Sequence, residues 1–292
     1  MQVLCFGSLN LDLVYTVEHI AAPGETIAAK ERKIFPGGKG LNQSVAMARA
    51  GLSVCHAGVV GADGKLLLET LRQSGVNTDY VRQDGRATGH AMIQVEEGSG
   101  QNTIVLYGGS NREIPTEYIE AVLSHFKKGD WIVLQNEVNR LDEIIQKASA
   151  KGMHIVLNPS PFDAAVTACD LSLVSLFLIN EVEGAQISGC TRPEEILDWM
   201  EKTYPYAGVV LTLGKDGAWF SQDGKRAYQS AFSVQAVDTT GAGDTFTGYF
   251  LHSYLTGQTP EQALLRATKA AAITVSRPGA ASAIPTWQEV DG

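Results

Sequence analysis

Short, continuously apolar runs alternate along this chain with amphipathic stretches, and that rhythm restricts the fold more than any other feature. The runs lie at 3–6, 54–60, 131–134, 155–157, 176–179 and 209–213, and the helix candidates at 66–74, 118–126, 142–151 and 194–202. Alternation of this kind is the pattern of an α/β fold, a mostly parallel sheet flanked by helices. Further on, Thr259-Pro260-Glu261-Gln262 supplies a cap, a first-turn proline and a capping-box glutamine. A helix is expected from there to about Arg277, before Pro278 and Gly279 stop it.

Two segments break the rhythm. Residues 13–17 with 26–34, and 90–96 with 102–107, read as hairpin-like strands with no helix between them. They predict a small sheet, contributed by 12–36 and 88–110, inserted twice into a single α/β domain that spans 1–292. The alternative is a pair of decorative hairpins on a monomer. No repeat, charge block or low-complexity tract interrupts the rest.

Composition removes several classes of function. A net charge of −9 argues against nonspecific binding to nucleic acid or an anionic membrane. Cys5, Cys55, Cys169 and Cys190 are scattered without C-x-x-C spacing, so neither a zinc site nor a disulfide framework is expected. No basic segment precedes an apolar one at the N-terminus, and no apolar run approaches the roughly 20 residues of a membrane helix. The cytoplasm is the default location.

The chemistry is concentrated in Asp238-Thr239-Thr240-Gly241-Ala242-Gly243-Asp244, which leads into an apolar stretch at 246–255. Small residues let backbone N–H groups converge at a helix N-terminus, where the macrodipole favours an anion. The Gly241, Ala242 and Gly243 amides would suit a developing phosphate charge, and Asp244 beside them can take a proton from an attacking hydroxyl. An ordinary strand-to-helix turn with a capping aspartate would also have this sequence. A second glycine turn, Phe35-Pro36-Gly37-Gly38-Lys39-Gly40-Leu41-Asn42-Gln43, runs into a small-residue helical stretch at 44–50.

These two segments, with Asn10-Leu11-Asp12 near the start, stand in the order found in the ribokinase branch of the PfkB sugar-kinase family, which the chain resembles over nearly its whole length. One signature fits from Gly37 through Asn42, Ser44 and Gly51 to Gly61, and the other from Asp238 to Gly248. Tyr249 then departs from it, standing where the family usually has Gly or Ala. The resemblance implies a three-layer ribokinase-like fold in which the small sheet is a lid over the sugar. It further implies that the lids of two subunits clasp each other in a homodimer.

The same resemblance distributes roles. Asn10, Asp12, Gly38, Lys39 and Asn42 would hold the sugar, with Glu137 contributing and Ala91 and Ile93 close by. Asn180 and Glu183, from the family's N-x-x-E element, would lie near the phosphates and magnesium. Thr212, Gly214 and Gly217 would form the nucleotide-side loop. Potassium would sit behind the anion hole, with Asp238 and Thr240 on one loop and Thr274 and Gly279 on the other. Ala283 stands where the branch usually supplies a serine hydroxyl, and Ser282 is one place early. Taken singly, each of these residues has a plainer reading: Asn10, Asp12 and Asp238 as turn caps, Glu137 as a solvated loop acid, Glu183 as a first-turn acid.

The chain lacks G-x-x-x-x-G-K-[ST], which excludes a P-loop kinase, and Gly241-Ala242-Gly243 lacks the third glycine of a dinucleotide fingerprint. The function that the resemblance implies is ATP- and magnesium-dependent phosphorylation of a sugar hydroxyl, ribose first, with potassium as activator. Fructose, tagatose, deoxyribose or a nucleoside are alternative acceptors. A non-catalytic sugar or nucleotide sensor on the same fold is the alternative of another class.

Overall fold

A computed structural model describes every residue except Gly85. In chain order the strands are β1 (Val3–Phe6), β2 (Asn10–Val17), β3 (Glu31–Gly37), β4 (Val54–Val60), β5 (Asn77–Gln83), β6 (Gly89–Glu96), β7 (Asn102–Tyr107), β8 (Trp131–Gln135), β9 (His154–Asn158), β10 (Leu176–Asn180), β11 (Gly208–Thr212), β12 (Ala218–Gln222) and β13 (Lys225–Gln229). The helices are α1 (Lys39–Arg49), α2 (Lys65–Gln73), α3 (Thr116–Ser124), α4 (Leu141–Ala150), α5 (Ala164–Thr167), α6 (Glu181–Ser188), α7 (Pro193–Thr203), α8 (Ala242–Leu255), α9 (Pro260–Val275) and α10 (Trp287–Asp291).

Among the described residues, nine strands form one sheet in the order β13-β12-β11-β10-β9-β8-β1-β4-β5. From β11 to β5 every pairing is parallel, and β12 and β13 add an antiparallel edge. The apolar strands have both faces covered, so successive side chains enter different cores. Val3, Cys5, Val133, Val156 and Val210 join Leu41, Val45, Leu67, Leu71, Phe250 and Leu264 of α1, α2, α8 and α9. Leu4, Phe6, Ile132, Ile155 and Leu211 join Ile119, Ile144, Leu197 and Met200 of α3, α4 and α7. This is the three-layer arrangement that the alternating runs predict. No helix among the described residues is long and apolar enough to cross a membrane.

Strand order reverses beside β1. From β1 the chain proceeds to β4 and β5 on one side, and from β8 to β9, β10 and β11 on the other. Loops leaving β1 and β8 therefore part at their C-terminal ends, and that divergence opens a crevice.

The second sheet has the order β3-β2-β6-β7, so both inserted segments contribute to it. Its strands extend the expected ones: β2 begins at Asn10, and its partner occupies Glu31–Gly37 while residues 26–29 carry no strand. Parallel pairing of β2 with β6 sets Asn10 beside Gly89, Asp12 beside Ala91 and Val14 beside Ile93, all on one face. The edge strand β7 leaves Ile104, Val105, Leu106 and Tyr107 exposed, and Met92 and Ile34 add to that apolar surface.

Candidate active site

The 14-residue helix α8 starts over the crevice, with Gly241 as its cap at φ 75°. This left-handed conformation is one that glycine adopts without strain, which explains the residue at that turn. Its first turn carries Asp244, only 7% exposed. The Ala242 N–H donates to Thr239 O at 3.3 Å, a long bond that partly occupies one of the three expected anion-hole amides.

Asp244 is held by α1. Asn42 Nδ2 donates to its Oδ2 at 3.1 Å and Gln43 Nε2 to its Oδ1 at 3.0 Å. Asn42 thereby leaves its own Oδ1 buried and without a partner among the described residues, an acceptor available to a ligand hydroxyl. Gln43 belongs to a buried amide network. Its Oε1 accepts from Gln135 Nε2 at 2.6 Å, and its Nε2 also donates to Asn158 Oδ1 at 3.0 Å. Gln135 and Asn158 end neighbouring strands, where the register pairs them.

Several of the other expected sugar residues lie near the start of α1. Gly38 caps that helix. The Lys39 N–H donates to Glu137 Oε2 at 2.9 Å, and Ser8 Oγ donates to the same oxygen. Burial opposes the Lys39 charge, yet Asp244, Glu137 and Glu183 around it hold its pKa above the ordinary value. Asp12 faces the opposite condition. Burial, with the charge of Glu137 added, raises its pKa from 3.8 to about 7. Asn10 is buried and its Oδ1 accepts from Asn111 Nδ2 at 2.8 Å, which turns the Asn10 amide N–H groups toward other partners. Asn111 also bonds Leu9 at both its N–H and its carbonyl. Ala91 is buried and Ile93 half-buried on the face shared with Asn10 and Asp12.

On the far side of α8 lies a cavity of about 540 Å³, within the usual range for a small-molecule site. Thr212, Gly214 and Gly217 line it together with Ala242 and Gly243, so the expected nucleotide loop and the helix start meet there. Phe232, Val234, Ala271 and Val275 make most of the remaining wall apolar. Thr268, which no sequence motif singled out, also lines it, and its buried hydroxyl has no partner among the described residues.

Asn180 and Glu183 stand at the end of β10 as a reciprocal capping box: Glu183 N–H donates to Asn180 Oδ1 at 2.8 Å, and Asn180 N–H to Glu183 Oε2 at 3.0 Å. The plainer first-turn reading of Glu183 is therefore also realised. Asp238 joins the two loops of the expected potassium site. Its Oδ1 accepts from Thr240 N–H and Oγ1 at 2.9 and 2.7 Å, and its Oδ2 from Gly279 N–H at 2.9 Å. Burial would raise the Asp238 pKa, but these donors hold it below the ordinary value. The Thr274 hydroxyl is turned to Thr245 Oγ1 and Ala270 O at 3.0 and 3.2 Å. Ala283 is buried, while Ser282 is exposed with its hydroxyl 3.5 Å from Pro278 O. No cluster of three or more His, Cys, Asp or Glu able to hold a metal occurs among the described residues.

Sequence reasoning missed Ser8, Gln43, Asn111, Gln135, Asn158 and Thr268. Gln43 had a signal, being adjacent to Asn42 in the glycine-turn motif; Ser8, Gln135 and Asn158 sit at or just past the ends of apolar strands, and Asn111 and Thr268 belong to no motif.

The family model of pfkB carbohydrate kinases matches residues 1–287. A ribokinase of Schizosaccharomyces pombe is 36% identical across 100% of this chain and 97% of its own length. One of Haemophilus influenzae is 34% identical across 97% and 95%. The structure of Arabidopsis thaliana ribokinase complexed with ribose and ATP matches with a TM-score of 0.87 at 30% identity, covering 99% of this chain and 97% of that one.

Proposed function

This chain belongs to the pfkB family of carbohydrate kinases, and from that premise we propose that it transfers the γ-phosphoryl group of ATP to a hydroxyl of ribose, giving ribose 5-phosphate. The observation that carries the reading is the position of Asp244. Its carboxylate sits at the head of α8, where that helix's first residues line the 540 Å³ cavity, and it is bonded to Asn42 on the side of Lys39, Glu137 and Asp12.

A base there can take the proton of a hydroxyl held by Asp12, Asn10 and the orphan Oδ1 of Asn42. That hydroxyl then attacks phosphorus in line, and the N-terminal amides of α8 receive the charge on the transferring oxygens. Lys39 supplies a fixed positive charge between the two ends of the site. The apolar wall of the cavity suits the adenine, with the Thr268 hydroxyl as a partner for its polar edge. Magnesium, when bound with ATP, neutralises phosphate charge. Asn180 and Glu183 would hold it, each with one oxygen already engaged in the capping box. Potassium would lie between the loops that Asp238 ties together, fixing the shape of the turn into α8 without touching substrate.

The small sheet acts as a lid over the sugar, its Asn10, Asp12, Ala91 and Ile93 face turned inward. Its exposed Ile104, Val105, Leu106, Tyr107 and Met92 support a homodimer, because a two-sided sheet of four strands cannot cover both faces from one subunit. The four free cysteines suit a reducing cytoplasm.

ADP formation with ATP, magnesium and a panel of ribose, deoxyribose, fructose, tagatose and nucleosides tests the reading. Ribose is expected to give the highest kcat/KM. A different best acceptor changes the substrate, and no ADP above background with any of them leaves the sensor in place of the kinase.

A further inference from the structure

We propose that Gln43 is a positioning residue for phosphoryl transfer, holding the Asp244 carboxylate in the one orientation from which it takes the hydroxyl proton; this rests on Asp244 being the base. The torsion that turns an aspartate carboxylate is broad, so burial alone does not fix it. Here each oxygen accepts one side-chain N–H, Oδ2 from Asn42 and Oδ1 from Gln43. A carboxylate oxygen has two lone pairs, and each therefore keeps one for an incoming proton.

The orientation of Gln43 is itself dictated from the sheet. The Leu178 carbonyl in β10 can only accept, and Asn158 Nδ2 donates to it at 2.9 Å. Asn158 must then present Oδ1 to Gln43, which answers with Nε2 at 3.0 Å. The second hydrogen of that Nε2 goes to Asp244, and Gln43 Oε1 accepts from Gln135 Nε2 at 2.6 Å. Turning the Gln43 amide over would set its oxygen against the oxygens of Asp244 and Asn158 together. The chain runs through β8, β9 and β10 into α1, so the rigid sheet fixes the direction of the base. An amide does this without the full charge of a lysine, which would hold the Asp244 proton acceptor in an ion pair.

Three variants test it: Gln43→Met, close in shape but without donors, and Gln135→Met and Gln135→Glu. Steady-state kinetics with ATP and ribose are read beside unfolding midpoints and calorimetric nucleotide affinity, with Asp244→Asn as reference. Gln43→Met is expected to lower kcat by ~10–10²-fold, the scale of a misplaced reacting group, with both KM values within about twofold. Gln135→Met leaves Gln43 free to keep its N–H on Asp244. The carboxylate of Gln135→Glu can only accept, turns the amide over and should cost at least ~10-fold more in kcat. If Gln43→Met does not fold, that ordering decides. Unchanged kcat, a loss confined to KM, or Gln135→Glu no worse than Gln135→Met overturns the assignment while Asp244→Asn is inactive. An active Asp244→Asn removes the base, and with it this inference.

Discussion

Asp12→Asn should make the protein more stable and less able to bind sugar. Burial chiefly, and the charge of Glu137 second, lift the Asp12 pKa from 3.8 to about 7. The folded state thus binds this proton more tightly than the unfolded chain does. Stability from the group is complete below about pH 4 and is lost as pH rises through about 7. The interval between 3.8 and about 7, at roughly 1.4 kcal/mol per tenfold change in proton affinity, gives about 4 kcal/mol as an upper figure. The side chain is only partly buried, and solvent screening brings the expectation to about 2–3 kcal/mol. Asparagine keeps the shape and removes the charge. Urea unfolding followed by intrinsic fluorescence should find Asp12→Asn more stable by that amount at pH 8, with the gap narrowing as pH falls below about 7 and closing toward about pH 4. Calorimetry should show ribose affinity reduced ~10–10²-fold, the scale of losing a hydrogen bond to a charged group, with ATP affinity unaltered. Parallel stability curves for the two proteins across pH, or a variant weaker than wild type at pH 8, would refute the electrostatic argument.

Asp244→Asn should lower turnover by ~10²–10⁴-fold, the usual scale for a general base, with nucleotide affinity nearly unchanged by calorimetry. If the chain is the proposed dimer, replacing Met92 and Val105, which pair across β6 and β7, by glutamate should give a monomer in light scattering at micromolar concentration; a wild-type monomer would remove the clasp altogether. ADP release should be faster in potassium than in a bulky organic cation at matched ionic strength, and Asp238→Asn should erase the difference. Equal rates in wild type would remove the cation site.

The central sheet was legible because strands buried on both faces become unbroken apolar runs. Its edges were not. β5 reads Asn-Thr-Asp-Tyr-Val-Arg-Gln, polar because one side meets water, and the β12–β13 hairpin follows a glycine turn that gives no period long enough to recognise. The start of α1 was set five residues late, because Gly40 inside the first turn resembles a loop residue by composition. In the site, the ordered motifs placed Asp244, Asn42, Lys39 and the loop at 212–217 together, and the structure gathers them around one helix start. The amide network was invisible for a physical reason. Gln135 and Asn158 are single polar residues, each ending an apolar strand, and only the parallel register brings them side by side beneath Gln43.

The departure at Tyr249 shows how these contacts stay insulated from change nearby. Asn42 and Gln43 reach Asp244 because α1 and α8 cross very closely. That crossing is set one turn deeper, where a Cβ on Gly248 would lie 2.4 Å from Ala46 Cβ and 2.6 Å from Met47 N. Any side chain at Gly248 would push the helices apart and break both hydrogen bonds to the carboxylate. The next residue turns away from that seam. Tyr249 is fully buried with its ring parallel to Trp287 of α10 at 6.3 Å, and its hydroxyl donates to Pro285 O at 2.8 Å. The extra bulk is thus absorbed by the C-terminal segment, which closes over the outer side of α8. Helix spacing, the quantity on which the hydrogen bonds to Asp244 depend, is controlled by the small residue before Tyr249.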